Sequence, residues 1–350
     1  MTRASALFAR LLKIYNHITQ PLVDFQGIHV LLEVKNLKVY YDVDKGSVRA
    51  VDGVSFSLGS GETLGVVGES GCGKSSLAGA LLRILPSNAR VEGDTVLFDG
   101  IDLLKLPEER MRREVRWKRI AMVFQGSMNA LNPIIRVGDQ IAEAILLHEN
   151  GVSKKEALER AVELLEMVGL DRSTVRRYPF ELSGGQRQRA LIAMALALNP
   201  KLLIADEPTT ALDVIVQAQL LKLLKGLQNK LKLSILFISH DVAVIASISD
   251  WVAVMYAGKI VEMGKAGDIL LEPTHPYTQA LVNAVPSIKE TRKTFKFIAG
   301  QPPDLLDPPP GCRFHPRCPY ANEKCRSEEP LHIEIGKEHY VACHLAGDRE

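Results

Sequence analysis

Gly68-Glu69-Ser70-Gly71-Cys72-Gly73-Lys74-Ser75 is the stretch that decides the fold of this chain. It fits G-x-x-x-x-G-K-[ST]. The short apolar run Thr63-Leu64-Gly65-Val66-Val67 precedes it, and a helical stretch from Ser75 to Leu85, stopped by Pro86, follows. Strand, glycine loop and helix in that order are the setting in which such a loop cradles phosphates. The glycines let backbone N–H groups converge on the anion without Cβ clashes. The helix presents its positive end to the same anion. Lys74 adds a point charge at the β/γ-phosphates, and Ser75 offers a hydroxyl to Mg²⁺. Cys72 reads as a small loop residue, although a helix N-terminus is able to lower a thiol pKa and make it alkylatable. Taken alone, the loop indicates a nucleoside triphosphatase and nothing narrower.

Outward from the loop, residues 29–41 alternate as a strand does, and Val48–Leu58 reads as another, closed by Gly59-Ser60-Gly61. Downstream, residues 136–180 are polar and helix-periodic, with helices separated by Gly151 and Gly169, which suggests an inserted helical subdomain. A helix Gln186–Leu198, a strand Leu202–Ala205, a helix Val214–Leu231 and a strand Ser234–Ile238 come next. Strands alternating with helices imply an α/β fold with a mainly parallel sheet and helices on both faces. After about Ala266 the composition shifts, and Pro302, Pro303 and Pro308–Pro310 make a stiff segment leading into a cysteine-containing tail.

The chain has 350 residues, 46% hydrophobic and 24% charged, enough for one large α/β domain plus an appendage. A net charge of +2 gives no reason to expect nucleic acid or an acidic substrate. No stretch reaches the roughly 18 uninterrupted apolar residues of a membrane span. The most apolar stretches carry Asn199, Lys201, His240, Asp241 and Asp250 and read as buried helix and strand. Arg3, Arg10 and Lys13 are not followed by an apolar core with a cleavage site, which argues against secretion. Residues Ala6 to Ile18 fit a helical stripe, read as a loosely held N-terminal helix or an over-long start, with a membrane-surface helix as the alternative.

Further motifs follow in order. Leu182-Ser183-Gly184-Gly185-Gln186 precedes a helix that Ser183 is placed to cap. Leu202–Ala205 ends in Asp206-Glu207, and two adjacent acids at a core's edge are costly unless they serve a cation. Ala211-Leu212-Asp213, Ile238-Ser239-His240-Asp241, and Gln125 after Ala121-Met122-Val123-Phe124 complete the set. Together these residues resemble the ATP-binding-cassette (ABC) superfamily, whose signature is Leu-Ser-Gly-Gly-Gln. The resemblance implies an ATPase with a phosphate-loop α/β fold, an antiparallel β subdomain, the helical insert and a small cysteine-containing appendage.

It also implies roles. ATP is held by Gly68, Glu69, Ser70, Gly71, Cys72, Gly73, Lys74, Ser75 and Ser76. Tyr41 stacks on adenine, with the neighbouring Tyr40 as the alternative. Mg²⁺ is held by Ser75, Gln125 and Asp206. Glu207 polarises the attacking water, His240 touches the γ-phosphate, and Gln125 senses it while facing membrane subunits. Head-to-tail dimerisation is implied too, with Ser183, Gly184 and Gly185 completing the ATP site of the other subunit.

The tail narrows the resemblance. Thr274-His275-Pro276-Tyr277-Thr278, Pro302-Pro303, Cys312-Arg313-Phe314-His315-Pro316-Arg317-Cys318-Pro319, Cys325 and Val341-Ala342-Cys343-His344 are similar to the oligopeptide/dipeptide importer ATPases. That likeness covers about residues 30–345. Cys312, Cys318, Cys325 and Cys343 are spaced C-x5-C-x6-C-x17-C and are able to supply four thiolates. Zinc prefers tighter pairs, and the wide spacing with Pro319 suits an iron–sulfur cluster at least as well. The resemblance favours [4Fe–4S]. It further implies an N-terminal extension (1–28), an ATPase domain (29–265) and a C-terminal domain (266–350). Implied partners are a second ABC ATPase subunit in a hetero-dimer, two transmembrane permease subunits and an extracytoplasmic substrate-binding protein, at the cytoplasmic face of the membrane. The helical insert and the Gln125–Pro133 loop are the expected docking contact. The expected cargo is peptide. Alternatives are another solute (an oligosaccharide, nickel) or a non-transport ABC ATPase, which normally carries long coiled-coil inserts or two cassettes, neither visible here.

Overall fold

Alternating apolar and polar residues organise the first part of the chain as one long hairpin. Strands β1 (Val30–Val43) and β2 (Gly46–Gly59) pair antiparallel from Val30↔Gly59 to Val43↔Gly46. A computed structural model describes residues 29–126, 130–284, 298 and 300–346. The expected N-terminal helix lies outside these residues. Strand β3 (Thr63–Val67) leads into the glycine loop and helix α1 (Lys74–Leu82). Three short strands that sequence reading passed over, β4 (Ala89–Glu92), β5 (Thr95–Phe98) and β6 (Ile101–Asp102), join the hairpin in a five-stranded antiparallel sheet.

α1 ends earlier than the position of Pro86 suggests. Arg83 adopts a left-handed conformation (φ 52°), and Ile84 N–H bonds Gly79 O at 3.0 Å, closing the helix in a left-handed cap. The insert contributes α2 (Val137–His148) and α3 (Lys154–Met167), with a Ser153–Glu156 capping box opening α3 and Gly169 (φ 74°) following its end. Next come β7 (Ile120–Val123) upstream of the insert, then α4 (Gly184–Ala195), β8 (Leu202–Asp206), α5 (Val214–Leu231), β9 (Ser234–Ser239), α6 (Val242–Ile248), β10 (Trp251–Tyr256) and β11 (Lys259–Lys265). In the tail lie α7 (Ala266–Leu271), α8 (Pro276–Asn283), α9 (Glu323–Ser327), β12 (Ile333–Gly336) and β13 (His339–Val341).

The second sheet has eight strands in the order β12-β13-β11-β10-β3-β9-β8-β7. Strands β10, β3, β9, β8 and β7 run parallel, while β11, β13 and β12 extend the sheet antiparallel. Every residue of β3, β8, β9 and β10 is buried, which is why they read as apolar runs. Alternate side chains feed two cores. Leu202, Ile204, Leu236 and Ile238 pack with α1 and the antiparallel sheet, whereas Leu203, Ala205, Ile235 and Phe237 pack with the helical side. The tail is built into this body: β13 pairs with β11, and Tyr277 and Phe314 join the second core. Among the described residues no helix is long and apolar enough to cross a membrane.

Candidate functional site

The loop sits where β3 ends, between β10 and β9 among the parallel strands, so its backbone is aimed by a fully buried strand. Two glycines are demanded by close approach. A Cβ on Gly68 would meet Met255 O at 2.1 Å, and one on Gly73 (φ 105°) would meet Ala50 O at 1.9 Å. Lys74 is 5% exposed, and its Nζ bonds Gly68 O (2.7 Å) and Glu69 O (3.0 Å). Cys72 is buried, and burial pushes its thiol pKa up against the opposing charge of Lys74. The structure therefore keeps Cys72 as a small, protonated loop residue and removes the thiolate expectation. Tyr41 Oη bonds Ser76 Oγ at 3.0 Å, whereas Tyr40 Oη bonds Asp52 Oδ1 at 2.5 Å. Adjacent strand residues face opposite ways, and Tyr41 is the one facing the loop helix.

At the end of β8, beside β3 and β9, the two acids differ. Asp206 is 2% exposed and its Oδ1 has no hydrogen-bond partner. Burial raises its pKa; the Ser75 hydroxyl works against that, the Glu207 charge adds to it, and Lys74 opposes it. A buried carboxylate oxygen without a partner, beside a hydroxyl, fits a divalent cation. Glu207 is a non-glycine residue at φ 48°, a strained backbone conformation. Its Oε2 accepts from Gln125 Nε2 (2.9 Å) and Thr210 Oγ1 (3.1 Å), and its Oε1 lies 3.1 Å from His240 Nδ1. Burial works to raise the Glu207 pKa, but hydrogen bonds from His240 and Thr210 and the charges of His240 and Lys74 hold it below the ordinary glutamate value. The carboxylate is thus ionised and oriented at neutral pH. Gln125, Glu207 and His240, separated widely in sequence, meet here. Thr210 was not anticipated, and only its position three residues after Glu207 hinted at it.

Ser183, Gly184 and Gly185 stand apart. Ser183 caps α4 in a reciprocal box with Gln186 (Gln186 N–H to Ser183 Oγ, 3.3 Å; Ser183 N–H to Gln186 Oε1, 3.0 Å). A Cβ on Gly185 would meet Val216 Cγ1 at 2.5 Å, so glycine lets α4 approach α5. Among the described residues these three form no hydrogen bond to the loop of their own chain. Nearby, Asp213 caps α5 and Asp241 caps α6.

Two tail residues touch the loop, and neither carried a role in the sequence reading. Tyr277 Oη accepts from Glu69 N–H at 3.0 Å, and Arg317 forks the Glu69 carboxylate at 2.6 and 2.9 Å. Both were quoted within tail motifs, but no local pattern pairs position 317 with position 69.

The four tail cysteines share one region. Cys312 N–H bonds Cys325 O at 2.9 Å, and burial raises the Cys312 thiol to about 11, with the other three thiols adding to the rise. Cys318 and Cys343 are raised by burial as well, and backbone N–H groups point at both sulfurs. All five cysteines are free thiols. Yet among the described residues no group of three or more His, Cys, Asp or Glu side chains is placed to hold a metal ion. The expected [4Fe–4S] cluster is therefore not supported by this arrangement.

Residues 51–210 match the ABC transporter family, and residues 261–325 match the oligopeptide/dipeptide transporter C-terminal region. The chain is 49% identical over 315 residues to the oligopeptide transport ATP-binding protein OppD of Escherichia coli, covering 89% of this chain and 92% of that one. It is 43% identical over 317 residues to the dipeptide transport ATP-binding protein DppD of Caldanaerobacter subterraneus, covering 90% and 97%. Among solved structures, the dimeric post-hydrolysis ATP-binding cassette MJ0796 bound to ADP and Pi superposes with a TM-score of 0.60 at 29% identity, covering 67% of this chain and 98% of that one. CbiO1 of Clostridium perfringens, part of an ABC transporter complex, gives 0.61 at 27%, covering 70% and 92%.

Proposed function

The chain belongs to the ABC transporter ATPases, in the oligopeptide/dipeptide group, and from that premise we propose that it energises peptide import through separate membrane permease subunits. It is an ATPase. The observation that carries the catalytic reading is the ionised Glu207, held by Gln125, Thr210 and His240 one residue from a buried Asp206 with an unpartnered oxygen.

In this reading the loop from Gly68 to Ser76 wraps the phosphates, and Lys74 exchanges its loop carbonyls for phosphate oxygens. Asp206, Ser75 and Gln125 would hold Mg²⁺, which supplies charge neutralisation at the phosphates. Glu207 takes a proton from the attacking water, and His240 and Gln125 keep it aligned. Tyr41 lies against the loop helix, which supports its choice over Tyr40 for the base. Ser183, Gly184 and Gly185, which among the described residues form no hydrogen bond to the loop of their own chain, serve the site of a second ATPase subunit, and the dimeric MJ0796 cassette supports that arrangement. We place the chain at the cytoplasmic face of the membrane, in a hetero-dimer, with two permeases and an extracytoplasmic binding protein. An apolar groove of about 360 Å³, lined by Trp117, Met122, Phe124, His148, Leu191 and Met194, opens beside Gln125 and supports docking there.

For the tail, the wide C-x5-C-x6-C-x17-C spacing and Pro319 support [4Fe–4S] over zinc, while the arrangement of the thiols does not. Iron and sulfide analysis of anaerobically purified protein decides between them, and zinc or no metal refutes the cluster. The function is tested in proteoliposomes containing the permeases: peptide with its binding protein should stimulate ATP hydrolysis and ATP should drive peptide uptake. Stimulation by an oligosaccharide or nickel instead of peptide would refute the cargo.

A further inference from the structure

Glu69 of the phosphate loop is gripped from outside the loop at two places, and both grips come from the tail. Its N–H donates to Tyr277 Oη at 3.0 Å, and its carboxylate accepts from Arg317 Nη1 and Nη2 at 2.6 and 2.9 Å. Its carbonyl accepts from Lys74 Nζ at 3.0 Å. One residue thereby links two tail side chains to the loop lysine. The arrangement is rigid. The Arg317 side chain is 5% exposed, and its guanidinium lies 5.7 Å from the centre of the Tyr256 ring and 6.0 Å from that of Phe314. Tyr256, Tyr277 and Phe314 pack on one another with ring centres 4.6 to 5.4 Å apart, all fully buried. A planar fork clamped by aromatic rings holds a carboxylate in one orientation.

We propose that Arg317 and Tyr277 are positioning residues for nucleotide binding: together they set the backbone of Glu69, and Arg317 cancels a carboxylate charge beside the phosphates. The charge argument is direct. A glutamate in a loop that receives a polyanion repels it unless a cation is fixed on it. Released from Arg317, the same carboxylate also competes with phosphate for Lys74, to which its residue is already bonded. The backbone argument is separate. Tyr277 satisfies the Glu69 N–H, which would otherwise be left unpaired against a buried aromatic block. The turn His315–Arg317 that carries the guanidinium runs straight into Cys318, so the conformation of the tail is read at the loop.

This inference rests on Gly68–Ser75 being the ATP loop, so Lys74→Ala is the control: if it leaves ATP binding intact, that reading fails rather than this one. With the full-length protein and Mg·ATP, Arg317→Met raises the nucleotide Kd by roughly ten-fold, within the range of coupled sites, while turnover at saturation changes less. Adding Glu69→Gln to Arg317→Met recovers most of the lost affinity, an outcome that loss of packing alone does not produce. Tyr277→Phe, which removes one oxygen, weakens binding without changing its salt dependence. Should Arg317→Met fail to fold, Arg317→Gln removes the charge while keeping polar contacts and is read by the same titration. ATP affinities within about two-fold of wild type for both the Arg317 and Tyr277 variants overturn the proposal. Weakened binding that Glu69→Gln does not rescue overturns its charge component.

Discussion

Glu207→Gln separates chemistry from architecture at this site, because every hydrogen bond of the carboxylate is available to the amide. Oε2 accepts from Gln125 Nε2 at 2.9 Å and Thr210 Oγ1 at 3.1 Å, which the amide oxygen reproduces. The amide NH₂ then faces His240 Nδ1, 3.1 Å from the other oxygen, at the expense only of a histidine tautomer change. Charged hydrogen bonds become neutral ones, but a partly buried charge is also removed, so stability changes by no more than about 1 kcal/mol, a few degrees in Tm. What is lost is the proton acceptor. General-base removal lowers turnover by roughly a hundred- to ten-thousand-fold, or about 3–5 kcal/mol of barrier. Nucleotide binding persists, since the loop and Lys74 are untouched, and ATP accumulates in a trapped dimer. The assay combines phosphate release under saturating Mg·ATP, equilibrium nucleotide binding and size-exclusion chromatography, with thermal melting as the fold control. Turnover within about three-fold of wild type would refute the assignment of Glu207 as the base.

Gly73→Ala places a methyl 1.9 Å from Ala50 O at φ 105°, so melting should show a loss of at least about 2 kcal/mol and ATP titration a large loss of affinity. Cys72, buried with a raised pKa, should react with iodoacetamide at neutral pH far more slowly in the native protein than after denaturation, as mass spectrometry of labelled peptides will show. His275 is fully buried, and burial lowers its pKa from 6.5 to about 4. The unfolded chain binds that proton first, so this contribution to stability is complete above the unfolded value and falls as pH drops through about 4, by up to roughly 3 kcal/mol. His275→Asn, which keeps an acceptor for the Tyr277 N–H, should flatten the loss of Tm over that acidic range.

The parts of this protein legible in its sequence are those whose physics is local. A glycine loop between an apolar strand and a helix, Ser183 and Asp213 as caps, and a fully buried parallel strand such as Leu202–Asp206 each follow from neighbouring residues. So do Val214–Leu231 and Thr63–Val67, whose bounds agree with the sequence reading. Boundaries failed where the chain closes on itself. α1 stops at Leu82 because Arg83 turns left-handed and Leu85 folds back over Gly79, which no propensity of residues 83–85 dictates. The short strands β4 to β6 escaped notice because a two- to four-residue strand has too little alternation to stand out.

Within the site, the motifs named Gln125, Glu207 and His240, but only the sheet order β7-β8-β9 brings their three chain segments to one edge, where the glutamate is held ionised. The same applies to Tyr277 and Arg317. Their partner Glu69 is 208 residues away from one and 248 from the other, and pairing at such distance is a property of packing. The four cysteines mark the limit from the other side. Their spacing suggested a converged thiolate set, and among the described residues the folded tail brings no three or more ligating side chains together to hold a metal ion. Sequence specifies which groups are present and how their neighbours shape them; whether distant groups meet, and in which charge state, depends on the desolvation and contacts that only the assembled core provides.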